Sequence, residues 1–457
     1  MKRHIFPILA LSAAVFFLTL PTLHYGYLME DYYYLRSYRL KEIVTTFYSH
    51  WEPTMGETKG YRPLHAVHYA FFHWLIGGDP VGNHLLALGL HLVGVYLFYA
   101  FVVRCTGEAG AAFWTALIYS CLGTTAWQVS WLVHRQHLLL VIFLFASLIL
   151  YDRHLLSRSR SSWAGGLLFF LLALLLKESA TTFPLIIAAF AFIVRQKTMR
   201  SQIKPLLPFF ILLAVFIACR YAVLKPLPDT FIHPPPPDTP GQIISDYSNG
   251  LLASLLQSHG VRDPDNRDFP VYARGVRDTR SAIALVSVIG LFVCALPLLF
   301  CRGRAARKRL FFFGLALLLI ANIMVAAWYR TNRLFITSLG VAIMVGILLV
   351  AVFGSFSRAS EKGKIITGVL ALVFFCVYLA ANLHTYLEIQ RALRPEGYLA
   401  TTWDRWLIEE GYLPWIQEEQ LQILETKLRR LGKLGLTESL PHPADSLPKK
   451  PPEASHY

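Results

Sequence analysis

The chain has 457 residues, of which 55% are hydrophobic and only 16% charged, and its formal net charge is +15. So few charges exclude an ordinary water-soluble enzyme, in which about a quarter of residues are charged. The positive balance does not argue for nucleic acid either, because the basic residues sit in short connectors between apolar runs, where the positive-inside rule accounts for them. Of the six cysteines, Cys121, Cys219, Cys294 and Cys376 lie in apolar runs, and Cys105 and Cys301 lie beside inward connectors. That distribution shows no zinc-type pairing and argues against a disulfide-stapled outer domain.

Eleven apolar runs predict transmembrane helices, at 5–23, 83–103, 110–130, 136–151, 163–177, 180–195, 206–224, 282–300, 310–328, 334–354 and 364–382. Several approach the roughly 20 residues that carry a helix across the hydrocarbon core. The runs at 136–151, 163–177 and 180–195 are shorter, so their ends must extend or their helices break. Met1–Arg3 resembles the charged start of a signal peptide. No small-x-small site follows, however, and Pro21-Thr22-Leu23-His24 leads straight on, so a retained anchor is expected.

Basic connectors set the orientation: Arg104; Arg153, Arg158 and Arg160; Arg195, Lys197, Arg200 and Lys204; Arg302 to Arg309; and Arg358, Lys362 and Lys364. They predict a cytoplasmic N-terminus and, after an odd number of spans, an outer C-terminus. Three regions then face outward. The first, 24–82, holds two amphipathic stretches near 32–48 and 64–77, suited to lie in the membrane interface. The second, 225–281, contains Pro234 to Pro237, which forbid a regular helix. The third is the tail 383–457, with a helix expected over 402–432 and a Pro-rich end. The predicted organisation is a transmembrane module, 1–382, followed by a short outer tail, 383–457.

Charged and polar groups collect on the predicted outer face. Glu30 and Asp31 follow the first span, and either is a candidate general base, metal ligand or arginine partner. Arg62 is placed to clamp one of them or to fork onto a phosphate. His65 and His68 share a helix face, and His73 follows. His84 opens the second span, and His91 lies two turns deeper. His134, Arg135, Gln136 and His137 head the fourth span, and three basic side chains in four residues suit an anion better than lipid. Lys177 and Glu178 interrupt two apolar runs, while Tyr329, Arg330 and Arg333 lie between the ninth and tenth. A lipid-phosphate-linked sugar needs such a set: a carboxylate to deprotonate the acceptor hydroxyl, and cations to stabilise the departing phosphate. No nucleotide-binding motif is present, and an outer-face enzyme has poor access to cytosolic nucleotides.

The layout resembles that of the GT-C polytopic glycosyltransferases, particularly the protein mannosyltransferase-like branch. The resemblance rests on Glu30-Asp31, Tyr61-Arg62-Pro63-Leu64, the run from Pro80-Val81-Gly82-Asn83-His84-Leu85 through His91, Lys177-Glu178, and Arg333-Leu334-Phe335 ahead of Ser338-Leu339-Gly340. It implies an all-α polytopic membrane fold and a polyprenyl-phosphate-sugar donor, transferred with inversion to a glycan, lipid or protein acceptor. It also implies that Asp31 is the base and that Arg330 or Arg333 holds the donor phosphate. A divalent metal on Glu30 or Asp31 stays open. The short-loop style suits a bacterial inner membrane and an undecaprenyl donor. The competing expectations are a lipid-linked oligosaccharide ligase or polymerase, and a lipid or sugar transporter.

Overall fold

The computed structural model of the chain describes residues 2–28, 30–49, 60–224, 279–302, 304–327, 335–356, 362–395 and 418–431, with parts of 241–255 and Ile416. The loop expected at 225–281 and the Pro-rich end lie largely or wholly outside the described residues.

The first apolar run forms α1 (Lys2–Thr19), which passes into a short 3-10 turn, Leu20–His24, around Pro21. The stretch predicted as one amphipathic element near 32–48 is instead two short helices, α2 (Asp31–Tyr34) and α3 (Leu40–Thr45). The second stretch is a single helix, α4 (Pro63–Ile76), begun by a proline at its first position and ended at Gly77 with φ +75°. Asp79 then caps α5 (Pro80–Thr106), accepting from the Val81 and Gly82 amides at 3.4 and 2.7 Å, and Gly107 ends that helix in the left-handed region.

The third run is not one helix. It breaks at Leu122, whose backbone is extended, into α6 (Ala109–Cys121) and α7 (Gly123–Ser130). Among the three short runs, the fourth extends, mainly at its C-terminal end, as α8 (Arg135–Ser157), preceded by a 3-10 turn over Leu132–His134. The fifth is α9 (Arg160–Leu176). The sixth is broken: a 3-10 turn, Glu178–Thr182, leads into α10 (Phe183–Ala189) and ends in a π-turn, Phe190–Val194. There follow α11 (Met199–Leu224), α12 (Thr279–Arg302), α13 (Ala305–Ala327), α14 (Phe335–Phe356) and α15 (Lys362–Leu393). The last described helix is α16 (Glu418–Arg430). The boundary expected at 382/383 falls inside α15, and of the tail helix predicted over 402–432 only its second half is described as α16.

Among the described residues seven helices are long and apolar enough to cross a membrane, and the three segments Ala109–Cys121, Arg160–Leu176 and Glu178–Val194 are shorter apolar helices. The chain is an integral membrane protein with an all-α fold. Its centre is α14, 94% of whose apolar window is buried, against 17% for α11. The central helix lies against α6 and α13. At the α13–α14 crossing Gly314 meets Gly340 so closely that a Cβ on Gly340 would sit 2.5 Å from the Gly314 carbonyl oxygen. Small residues at such a crossing let two backbones touch, and lipid offers no competing contact of that quality.

The long helices also define two ends of the bundle. Asn83 and His84 begin α5 and Arg104 lies in its last turn, while Arg135 begins α8 and Asp152 lies near its end. Of the residues singled out for chemistry, Asp31, His134, Arg135, His137 and Lys177 gather at the first of these ends.

Candidate active site

Asp31 is the first residue of α2 and has no exposed surface. Its Oδ2 accepts the Leu28 amide at 3.0 Å and its Oδ1 the Val133 amide at 2.7 Å. The second bond depends on the break at Leu122 and on the 3-10 turn beyond α7, which bring the backbone at 133 beneath the Asp31 loop. Tyr69 of α4 locks the same residue from its other side, its hydroxyl donating to the Val133 carbonyl at 2.6 Å. Burial raises the Asp31 carboxyl to about pKa 7, against the opposing pull of the two amides and Arg135, and the charge of Glu30 adds to the rise. Glu30 itself is half-buried in the turn before α2, its carbonyl accepting the Tyr33 and Tyr34 amides.

Arg135 is also buried, and its guanidinium does not close onto Asp31. Its Nη1 donates to Asn83 Oδ1 at 2.9 Å, and its face lies 5.6 and 5.5 Å from the Tyr69 and Phe72 ring centroids. Asn83 is held in turn: its amide donates to the Tyr27 hydroxyl, the Gly77 carbonyl and the Asp79 carbonyl at 3.2, 3.1 and 2.8 Å. Arg135 Nε is buried without a hydrogen-bond partner. A buried guanidinium held by a neutral amide and two rings keeps an attraction for anions that a closed ion pair would quench.

Two residues further along α8, His137 Nε2 meets the Lys177 ammonium at 2.5 Å, and the imidazole stacks on Phe335 with centroids 4.3 Å apart. Because the lysine donates, this ring nitrogen is the acceptor. His134 is buried between Trp131 and His137, at 4.5 and 4.8 Å between centroids. Arg62, a candidate clamp for Glu30 or Asp31 or a fork for a phosphate, forms an ion pair with Glu178 at 2.7 Å. Lys177 and Glu178, read as a neighbouring pair, therefore reach different elements.

His65 and His68 do share a face of α4, with ring centroids 5.5 Å apart. Burial holds both well below the usual imidazole range, His68 at about pKa 3, so both are neutral near pH 7. His84 is buried edge-on against Tyr25 at 6.1 Å, and the deeper His91 packs against Tyr119. Tyr329, Arg330 and Arg333 lie outside the described residues.

Among the described residues no three of His, Cys, Asp and Glu converge as a metal site requires, and both Asp31 oxygens already receive amide protons. No step below is routed through a divalent metal. Tyr27, Tyr69 and Lys427 complete the surroundings of Asp31 without any local signal in the sequence: they are aromatic or charged residues whose partners lie far along the chain.

No protein-family model matches this sequence, and no curated protein does. Solved structures do resemble it in three dimensions. The oligosaccharyltransferase of Archaeoglobus fulgidus, tethered with an acceptor peptide containing the NVT sequon, superposes with a TM-score of 0.51 at 13% identity, over 99% of this chain and 60% of that one. Its apo form gives 0.50 at 13% identity, over 99% and 61%. The fold is that of the GT-C glycosyltransferases. ArnT from Cupriavidus metallidurans, bound to undecaprenyl phosphate, scores 0.49 at 11% identity over 93% and 88% of the two chains. The chain spans only about 60% of the length of the archaeal oligosaccharyltransferase. What is shared is the GT-C framework, and the residues described above are what this chain builds upon it.

Proposed function

We propose that this protein transfers a sugar from a polyprenyl-phosphate donor to a hydroxyl-bearing acceptor at the outer face of the membrane, with inversion. The observation that carries the reading is one fully buried carboxylate, Asp31, set at the same end of a GT-C fold as Arg135 and the His137–Lys177 pair. A carboxyl group poised near neutral pH is matched to removing a hydroxyl proton. Each Asp31 oxygen keeps a lone pair beyond the one given to its amide donor.

In the proposed step the acceptor oxygen bonds to the anomeric carbon, the bond from that carbon to the phosphate oxygen breaks, and the acceptor proton passes to Asp31. The lipid phosphate leaves as an anion toward Arg62, His134, Arg135, His137 and Lys177, with Arg330 or Arg333 and Tyr329 as further donor contacts. Glu178 fixes Arg62, His84 packs against Tyr25 beside the Asp31 loop, and Glu30 is a second acidic group of the site. Asp31 is fully enclosed, so acceptor entry requires its cover to move. An N-terminus in the cytoplasm and a site on the periplasmic side of a bacterial inner membrane, with an undecaprenyl donor, complete the reading. The acceptor is a glycan, a lipid or a protein.

The test is to incubate the purified protein with a panel of polyprenyl-phosphate sugars and compare wild type with Asp31→Asn. Turnover with one donor, lost in a folded variant, supports the reading. A folded wild type that neither turns over nor binds any donor shifts the assignment to a lipid-linked oligosaccharide ligase or a transporter.

A further inference from the structure

The described C-terminal helix, α16, is amphipathic. Gln420, Leu424, Lys427 and Leu428 recur at helical spacing and are buried, while Glu418, Arg429 and Arg430 are exposed. The buried stripe sits on the loop that carries Asp31. Leu424 and Leu428 share an apolar cluster with Tyr27, Tyr32, Tyr33, Leu35 and Val133. Gln420 Nε2 donates to the Leu35 carbonyl at 3.1 Å, and Lys427 Nζ donates to the Tyr27 carbonyl at 3.1 Å. An ammonium is costly to bury, so a lysine where leucine or methionine would pack points to a requirement beyond packing.

The Tyr27 carbonyl belongs to the same peptide unit as the Leu28 amide, which donates to Asp31 Oδ2 at 3.0 Å. The unit is trans, so its C=O and N–H point in opposite directions across one rigid plane. A cation at the carbonyl end and a carboxylate at the amide end therefore face each other through a single peptide dipole. The ammonium polarises that peptide, makes the Leu28 amide a stronger donor and fixes the plane in which it points. Other charged or titratable groups facing Asp31 are Glu30 beside it, Arg135 of α8, Tyr27 of the loop and Tyr69 of α4. None of these bonds to the Tyr27 carbonyl in place of Lys427.

We infer that Lys427 is a positioning residue for the base, orienting the Asp31 carboxylate and favouring its ionised form through the Tyr27–Leu28 peptide, so that the C-terminal helix belongs to the active site. The inference deepens the proposed transfer reaction and rests on Asp31 as its base. Its test uses the full chain in lipid nanodiscs with Lys427→Met, Lys427→Arg and Gln420→Ala. The readouts are an infrared titration of the Asp31 carboxyl, isolated by difference from Asp31→Asn, and the pH profile of transfer.

Lys427→Met moves the carboxyl titration and the acid limb of activity about half a pH unit or more upward, and lowers kcat about ten-fold with KM little changed. Lys427→Arg restores most of both. Gln420→Ala loosens the far end of the same contact and leaves the titration in place. A wild-type titration in Lys427→Met overturns the inference, and so does an equal shift in Gln420→Ala. The infrared readout needs no turnover: a wild type that transfers no sugar defeats the catalytic reading while the coupling of Lys427 to Asp31 is still measured.

Discussion

Asp31 at one end of the bundle and the acids Asp152 and Glu108 at the other are held differently. At the end away from Asp31, each acid is closed by two arginines: Asp152 by Arg104 at 2.8 Å and Arg195 at 2.5 Å, and Glu108 by Arg304 at 3.2 Å and Arg307 at 2.6 Å. These pairs tie α5 to α8 and the α6 start to α13, and they leave little unmet charge. At the other end, Asp31 takes backbone amides on both oxygens while Arg135 is drawn aside by Asn83. Closed ion pairs fasten helices. A carboxylate and a guanidinium buried near one another but held apart keep their chemistry available, and perturbed groups of that kind collect at functional sites.

The comparison can be broken most sharply at Asp31. Asp31→Asn is expected to lower transfer by about a thousand-fold or more, since it removes the base outright. Its amide must face either the Leu28 or the Val133 N–H, so a melting curve should accompany the assay. The expected result is lost activity in a folded protein. The reciprocal change, Asp152→Ala, should instead cost roughly 2–4 kcal/mol of stability by orphaning two arginines, the lower part of the range reflecting the solvent that reaches Arg104. It should leave the pH profile of any surviving activity unmoved, whereas a shifted profile would mean that the two ends are not separate in function.

Arg135→Met and Lys177→Met should each weaken donor binding by about ten- to a hundred-fold, measured with a polyprenyl phosphate carrying no sugar. An unchanged affinity in both would remove the cationic side of the site from the reading.

The smallest effect concerns pH and stability. The folded pKa of Asp31 is raised to about 7 from 3.8, so the folded state binds this proton more tightly than the unfolded chain. The associated stability is fully present below the unfolded value and is lost as pH rises toward and through about 7. His65 and His68 act in the opposite sense as pH falls, because burial lowers their pKa values. The informative quantity is therefore the difference between wild type and Asp31→Asn. Wild type should lose a few degrees more of Tm between pH 5 and 8 than the variant does, a magnitude of order one to a few kcal/mol. Parallel curves would mean that Asp31 is not held protonated by burial.

Much of the helical framework can be read from residue order, since an apolar run near the bilayer thickness has few other uses. The breaks are harder. Gly123 and the Thr124-Thr125 pair after Leu122 only hint at a break, and what holds the bend is in part a tertiary contact, the Thr124 hydroxyl with that of Ser338 at 2.8 Å. Charges stranded beside apolar runs drew attention to Asp31, Arg135, His137 and Lys177, but their partners were not legible. Arg135 bonds to Asn83 across 52 positions, and Lys427 to Tyr27 across 400. No local pattern encodes pairings so distant. The pairing of Arg62 with Glu178 follows from the packing of α4 beside α9 and is invisible in the sequence for the same reason.

The Gly314–Gly340 crossing has a consequence for motion. Two backbones in contact cannot approach further, and separating them would open a void that no side chain is present to fill. An enclosed Asp31 nonetheless requires movement before an acceptor can enter. The crossing holds α13 and α14 at one separation, so it belongs to the part of the fold that stays in place when that cover moves. A side chain on either glycine would push the two central helices apart and strain the core itself, leaving the cover over Asp31 untouched.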